Sequence, residues 1–184
     1  MINEEFASLL AAAQRGSEPA FSRLWRDVNP ALLRYLRVIA PGAEEDLAAE
    51  TWVQVVRRLR SFRGDEQAWR AWLFTTARRR AIDLARHRSR RPEAPLDDAA
   101  AAQLPSTEDS AEVALERLST AAAVALVSGL PPLQAEVILL RVVAGMDTES
   151  VARLLRKSPG AIRVAAHRGL RRLAEVTADA GVPL

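Results

Sequence analysis

Twelve arginines and three acids share the stretch Arg57 to Arg91, RRLRSFRGDEQAWRAWLFTTARRRAIDLARHRSRR, a net of +9 in a chain whose total is +3. Charge this concentrated suits a polyanion, because each phosphate neutralised by an arginine releases condensed counterions. Four of the nine aromatic residues (Phe62, Trp69, Trp72 and Phe74) lie inside the same stretch. Aromatics among arginines add faces on which unpaired bases stack, or wedges that hold strands apart. The competing reading is a solvated basic helix face with Trp69 and Trp72 in the core. A second, weaker basic region, residues 141–176, carries eight basic residues against three acids.

Other chemistries find little support. The chain has no cysteine, which excludes disulfides and thiolate metal sites and suits a reducing cytoplasm. Its two histidines, His87 and His167, stand eighty residues apart, so neither a zinc site nor a histidine-based catalytic centre is expected. The acids fall at scattered positions rather than in the cluster a metal-assisted nuclease needs, so no enzyme activity and no cofactor are expected. The opening residues, MINEEF, lack the basic start and apolar core of a signal peptide. No apolar run approaches the roughly 20 residues of a membrane-spanning helix. With 49% apolar residues the 184-residue chain should fold as one ordinary domain or two small ones.

The elements that would position the basic stretch all have helical period. Phe21, Leu24, Trp25, Val28, Leu32, Leu33 and Leu36 recur at spacings of three and four, and Pro41-Gly42 ends that helix. A second helix is expected from about 43 to 59, and a long one from about 66 to 87 after the break at Gly64. Residues 92–110, PEAPLDDAAAAQLPSTEDS, are acidic and proline-rich and read as a flexible tether. Beyond it, Leu115, Leu118, Ala122 and Leu126 mark a helix, and Leu133, Val137, Leu140 and Val143 the next. Asp147 or Thr148 can cap a short helix carrying Val151, Leu154 and Leu155. A three-residue turn leads to Ser158-Pro159, a strong start signal for a last helix. That helix should bury Ile162, Ala166, Leu170 and Leu173 and leave Arg163, His167, Arg168, Arg171 and Arg172 outside. Short helix, tight turn and basic helix form the helix-turn-helix arrangement, whose second helix enters a major groove. The fold class is all-α: two small helical domains, 1–91 and 111–184, joined by residues 92–110.

Three strings carry a resemblance: DLAAETWVQVVRRL (46–59), FRGDEQAWRAWLFTTARRRAIDLARHRSRR (62–91) and LPPLQAEVILLRVVAGMDTESVARLLRKSPGAIRVAAHRGLRRL (130–173). In this order, with a linker between the last two, they resemble regions 2 and 4 of a bacterial sigma factor of the extracytoplasmic-function group. The resemblance implies a subunit that binds core RNA polymerase and directs promoter recognition and transcription initiation. It implies a face for the β′ clamp helices at Asp46, Leu47, Glu50, Thr51 and Gln54, and docking of region 4 on the β flap. It implies recognition and melting of the −10 element by Arg63, Gly64, Asp65, Trp69, Trp72, Arg78, Arg79, Arg80, Asp83 and Arg86. The −35 element would meet Ser158, Arg163, Ala166, His167, Arg168, Arg171 and Arg172. The family usually has an anti-sigma factor as a further partner. The chain departs from the common pattern at Ala49, where Gln is frequent, and at Arg79, where Asn is usual. The rival reading is a stand-alone helix-turn-helix regulator, which would bind duplex DNA tightly without any polymerase.

Overall fold

The apolar spacings become helices, four of them in the first module. In the computed structural model, which describes residues 3–90 and 121–179, α1 (Asn3–Gln14), α2 (Glu18–Ile39), α3 (Glu44–Arg58) and α4 (Glu66–Arg90) follow in order. No strand forms among the described residues. The tether and the expected helical positions Leu115 and Leu118 lie outside them. Ser17 caps α2 by accepting from the Ala20 amide, and Pro41-Gly42 stops it as expected. The helix α1 is an element beyond those expected from the apolar spacings. It buries Phe6 and Leu10, and its Gln14 amide donates to the carbonyls of Leu59 (3.0 Å) and Phe62 (2.9 Å).

Leu24, Val28, Leu32 and Leu36 of α2 meet Leu47, Trp52 and Val55 of α3 and Trp69, Leu73 and Phe74 of α4, all buried. Burial of this kind, at about 25 cal/mol per Å² of apolar surface, is what holds a small bundle together. Trp25, expected on the apolar face of α2, is 40% exposed. The indole of Trp69 is 1% exposed and lies against Phe6, Trp52, Phe62 and Trp72 at centroid distances of 5.6 to 6.4 Å. Aromatic pairs in tilted or edge-on geometry hold such a cluster more firmly than area alone would.

The second module contains α5 (described over 121–128), α6 (Pro132–Ile138), α7 (Thr148–Leu155) and α8 (Pro159–Asp179). Between α6 and α7, residues Leu139–Val143 form a widened π turn, with Ala144 N–H donating to Leu139 O at 2.8 Å. The last helix buries Ile162 and Ala165, with Leu173 partly buried, while Leu170 is 50% exposed. The expected stripe is therefore shifted by one position at its middle. The reason is Gly169, where an added Cβ would stand 3.1 Å from Ile138 Cγ1. A glycine at this contact lets α8 approach α6 closely and rotates the buried face toward residues 162, 165 and 169.

The modules pack against each other along α4. Gln67 donates to Gly145 O (3.1 Å) and accepts from Asp147 N (3.0 Å), and Arg70 donates to Ala144 O (3.2 Å). The π turn exposes these carbonyls by breaking the regular helical ladder at its end. Further along α4, Arg78 meets Glu136 of α6 at 2.8 Å.

Candidate nucleic-acid interface

The loop before α4 is shaped by two residues. A Cβ on Gly64 would stand 2.7 Å from Ala68 Cβ and 3.2 Å from Phe62 Cζ, so only glycine lets the loop fold back on the helix. Asp65 then accepts from the Ala68 amide at 2.8 Å, a side-chain cap for the first turn of α4. Arg63 is exposed and reaches back to the carbonyls of Arg60 and Phe62. Phe62 stacks on Trp72 at 5.0 Å and 14°, leaving Trp72 partly accessible. Trp69 is the correction here: it is a core residue, enclosed by four aromatic rings, and offers no face to a base. Its indole N–H has no hydrogen-bond partner among the described residues, so ring packing alone holds it.

Along α4, Arg79, Asp83 and Arg86 are exposed, while Arg78 and Arg80 are engaged. Arg80 meets Glu50 of α3 at 3.1 Å. Arg78 donates through Nε and Nη2 to the two oxygens of Glu136, and the Tyr35 hydroxyl donates to the same carboxylate at 2.8 Å. Burial, and next the charge of Glu136, push the Tyr35 phenol well above its ordinary range. The hydrogen bond to Glu136 raises Arg78 likewise. Beside these residues runs a cleft of about 1230 Å³. Arg58, Arg79, Arg80 and Arg86 line it from the first module, and Arg153 and Arg156 from the second. Among the described residues Asp83 is its one acidic lining residue, so the cleft as described is strongly positive.

The outward face of α3 differs in part from the expected one. Asp46 and Glu50 are exposed, but Leu47 is 4% exposed and Thr51 is fully buried, its hydroxyl bonded to Leu47 O. Helical spacing explains this: residues 47 and 51 share the inward stripe with Val55. The outward places belong to Val53 and Val56, 48% and 54% exposed. Gln54 is half-buried and lines the arginine cleft. Exposed valines one turn beyond two acids form an acidic and apolar strip, a signal present in the sequence as Glu50-x-x-Val53-x-x-Val56.

In the second module Asp147 caps α7 by accepting from Ser150 N at 2.6 Å. The turn is made by Arg156 in the left-handed conformation, φ 54°. Ser158 accepts from Ala161 N at 3.2 Å and so starts α8, which gives this residue a capping task. Arg163, His167, Arg168, Arg171 and Arg172 all stand on the exposed side, whereas Ala166 is half-buried against the core. Arg171 pairs with Glu175 and Arg172 reaches Gln134. The outward face also carries Val164, 49% exposed, an apolar residue among the basic ones.

The sequence matches the family description "Sigma-70 region 2" over residues 21–91 and "Sigma-70, region 4" over residues 120–173. It is 34% identical to the ECF RNA polymerase sigma factor BldN of Streptomyces coelicolor over 176 residues, 93% of this chain and 65% of that one. It is likewise 34% identical to the ECF RNA polymerase sigma factor ShbA of Streptomyces griseus, covering 90% of this chain and 92% of that one. The fold is also that of the sigma factor RpoE of Bartonella quintana, solved in complex with the anti-sigma factor NepR. The TM-score is 0.59, at 23% identity, over 84% of this chain and 94% of that one.

Proposed function

The chain belongs to the extracytoplasmic-function group of RNA polymerase sigma factors, and we propose that it works as a promoter-specificity subunit. It binds core RNA polymerase, directs it to promoters and begins transcription, and contributes no catalysis of its own. Region 2 spans residues 1–91 and region 4 residues 111–184, with 92–110 between them. One observation carries the reading beyond family membership. Two separate basic faces, that of α4 and that of α8, stand on one chain beside an acidic and apolar strip on α3. A simple regulator needs only one DNA-reading helix. Two DNA faces and a protein-docking strip suit a factor that spans two promoter elements while seated on a larger enzyme.

In this reading Asp46, Glu50, Val53 and Val56 face the β′ clamp helices, and region 4 docks on the β flap. Arg63, Trp72, Arg79 and Arg86 hold the −10 strand, and Arg163, His167 and Arg171 reach the −35 bases. Gly64 and Asp65 shape the strand-reading loop. Among the described residues no helix is long and apolar enough to cross a membrane, and the site of action we assign is the cytoplasm, with an anti-sigma factor as regulator. Run-off transcription with core polymerase and promoter fragments tests the assignment. Transcripts that need this chain support it. Tight sequence-specific binding to duplex DNA by the chain alone, with no transcripts from the mixture, would favour the stand-alone regulator instead.

A further inference from the structure

Both modules build the cleft beside α4, and among the described residues seven arginines and one acid, Asp83, line its volume of about 1230 Å³. Two of the seven are already engaged, Arg78 by Glu136 and Arg80 by Glu50. Arg58, Arg79 and Arg86 remain on the side of the first module, and Arg153 and Arg156 on that of the second. All five are exposed. Like charges gathered around one cleft repel each other unless an anion stands between them. The volume lies somewhat above the roughly 300–1,000 Å³ of common small-molecule sites, which leaves room for a ligand and ordered water.

The lining residues of α4 have an order of their own. Trp72, Thr76, Arg79, Asp83 and Arg86 follow at spacings of four, three, four and three, so they share one stripe of the helix. Phe62 stacks on one side of the Trp72 indole, and Trp72 is still only half-buried. From Trp72 to Arg79 is seven residues, about 10 Å of helix. An aromatic wall at one end and guanidinium forks a short way along match a base at one end of a ligand and phosphates at the other. Asp83 stands beyond Arg79 and 3.9 Å from Arg86, and its charge keeps phosphates on the Trp72 side.

Arg156 supplies an independent sign. It ends α7 in the left-handed conformation, φ 54°, a place that usually falls to glycine because a Cβ is crowded there. Among the described residues it is the one non-glycine with positive φ. The chain accepts this strain and gains a guanidinium in the wall of the cleft. We propose that the cleft is a binding site for a free nucleoside polyphosphate. The base lies on Trp72, and the phosphates are shared by Arg58 and Arg79 of one module with Arg153 and Arg156 of the other. A ligand held in this way bridges the two modules. Trp72 and Arg79 also serve the strand-reading role proposed above, whereas Arg58, Arg153 and Arg156 have no part in it.

The test is calorimetric titration of the full chain at fixed ionic strength. The probes are adenosine triphosphate, guanosine triphosphate, inorganic tripolyphosphate and a DNA dinucleotide. A triphosphate should bind roughly tenfold tighter than tripolyphosphate, because a stacked base adds to the phosphate contacts, and tighter still than the dinucleotide. Arg58→Ala and Arg156→Gly should each weaken triphosphate binding by roughly fivefold or more. Glycine suits the left-handed turn, so the melting midpoint of Arg156→Gly should not fall. Trp72→Leu, with helicity checked by circular dichroism, should remove the advantage of nucleotide over tripolyphosphate. Equal affinity of the unaltered chain for triphosphate and tripolyphosphate would reduce the cleft to a collector of anions and overturn the proposal. A dinucleotide that binds as tightly as the triphosphates would leave the cleft to DNA alone, and no heat with any probe would leave it without a ligand; either result overturns the site. Weakening by Arg58→Ala with none by Arg156→Gly would overturn the bridge between modules. No polymerase enters the measurement, so its outcome is separate from that of the sigma assignment.

Discussion

The indole N–H of Trp52 donates to the side-chain oxygen of Asn29 at 2.8 Å, and both residues are buried. This single bond joins α2 to α3 inside an apolar core, next to the edge-on contact between Phe21 and Trp52. Replacing Asn29 by Ala leaves a buried donor without a partner and should destabilise the first module by about 1–3 kcal/mol. Thermal melts followed by circular dichroism would read this as a lower midpoint. A midpoint equal to that of the unaltered chain would show that water or a rotated ring replaces the asparagine.

The strip proposed to face polymerase makes a separate prediction. Reversing the charge at Asp46 and Glu50 together should weaken core polymerase binding by roughly tenfold, while the fold survives. The Glu50–Arg80 pair is largely exposed, and such pairs contribute about 0–1 kcal/mol. Val53→Glu should add to the loss, and Thr51→Ala should instead lower stability, since its hydroxyl is buried. Competition against a second sigma factor for core polymerase distinguishes the two outcomes.

On α8, Arg168 and Arg172 should scale binding to every promoter alike, as phosphate contacts do. Substituting Arg163, His167 or Arg171 should change which −35 sequence is preferred, by about 1–3 kcal/mol for a good base contact. Selection from a randomised −35 library would reveal it. Equal effects of all five on all sequences would mean a different face enters the groove.

The strand-capture role proposed for the loop before α4 predicts that binding and opening can be separated. Arg63→Ala with Asp65→Asn preserves a capping side chain and should leave closed complexes intact. Strand opening should fall, because holding an unpaired base repays an extrusion cost of a few kcal/mol. A pre-melted bubble template should restore transcription, with permanganate reactivity as the readout. Asp65→Ala differs: it also removes the cap to the Ala68 amide and should cost about 1 kcal/mol of stability.

Tyr35 is the chain's one tyrosine, so absorbance of the phenolate reports on a single group. Burial and Glu136 raise its folded value well above 10, while the unfolded chain titrates near 10. The folded state then holds the proton more tightly. The associated stability is fully present below about pH 10 and declines as pH rises toward the folded value. Alkaline titration should show ionisation displaced upward in the native chain relative to the chain in guanidinium, and Tyr35→Phe should abolish the signal.

Much of this was legible in the residue order. The helix starts at Ser158-Pro159 and Asp147, the stop at Pro41-Gly42 and the outward arginines of α8 all follow from local rules, since caps and periodicity act within a few residues. What failed to show is set by distant partners. Trp69 and Trp72 have the same composition around them, yet one is sealed by Phe6 and Trp52 from other helices and the other is left partly accessible. Leu47 and Thr51 share a motif with Asp46 and Glu50 but point the opposite way. Linear spacing could have separated them, because 47, 51 and 55 lie on one stripe. The contact of Glu136 with Tyr35 spans 101 residues and has no local trace at all.

The shared buried contact of Gly169 with Ile138 has a bearing on how such proteins diversify. The close approach of α8 to α6 is set by a hydrogen in place of a methyl, on the side opposite the exposed basic face. Reader and mount are therefore separate inheritances. Residues 163, 164, 167, 168 and 171 are exposed and lie off that contact, so a change of side chain at any of them would be presented at the same angle. A single alanine at 169 would shift every one of those letters at once, so that a lineage can rewrite its vocabulary cheaply but not its handwriting.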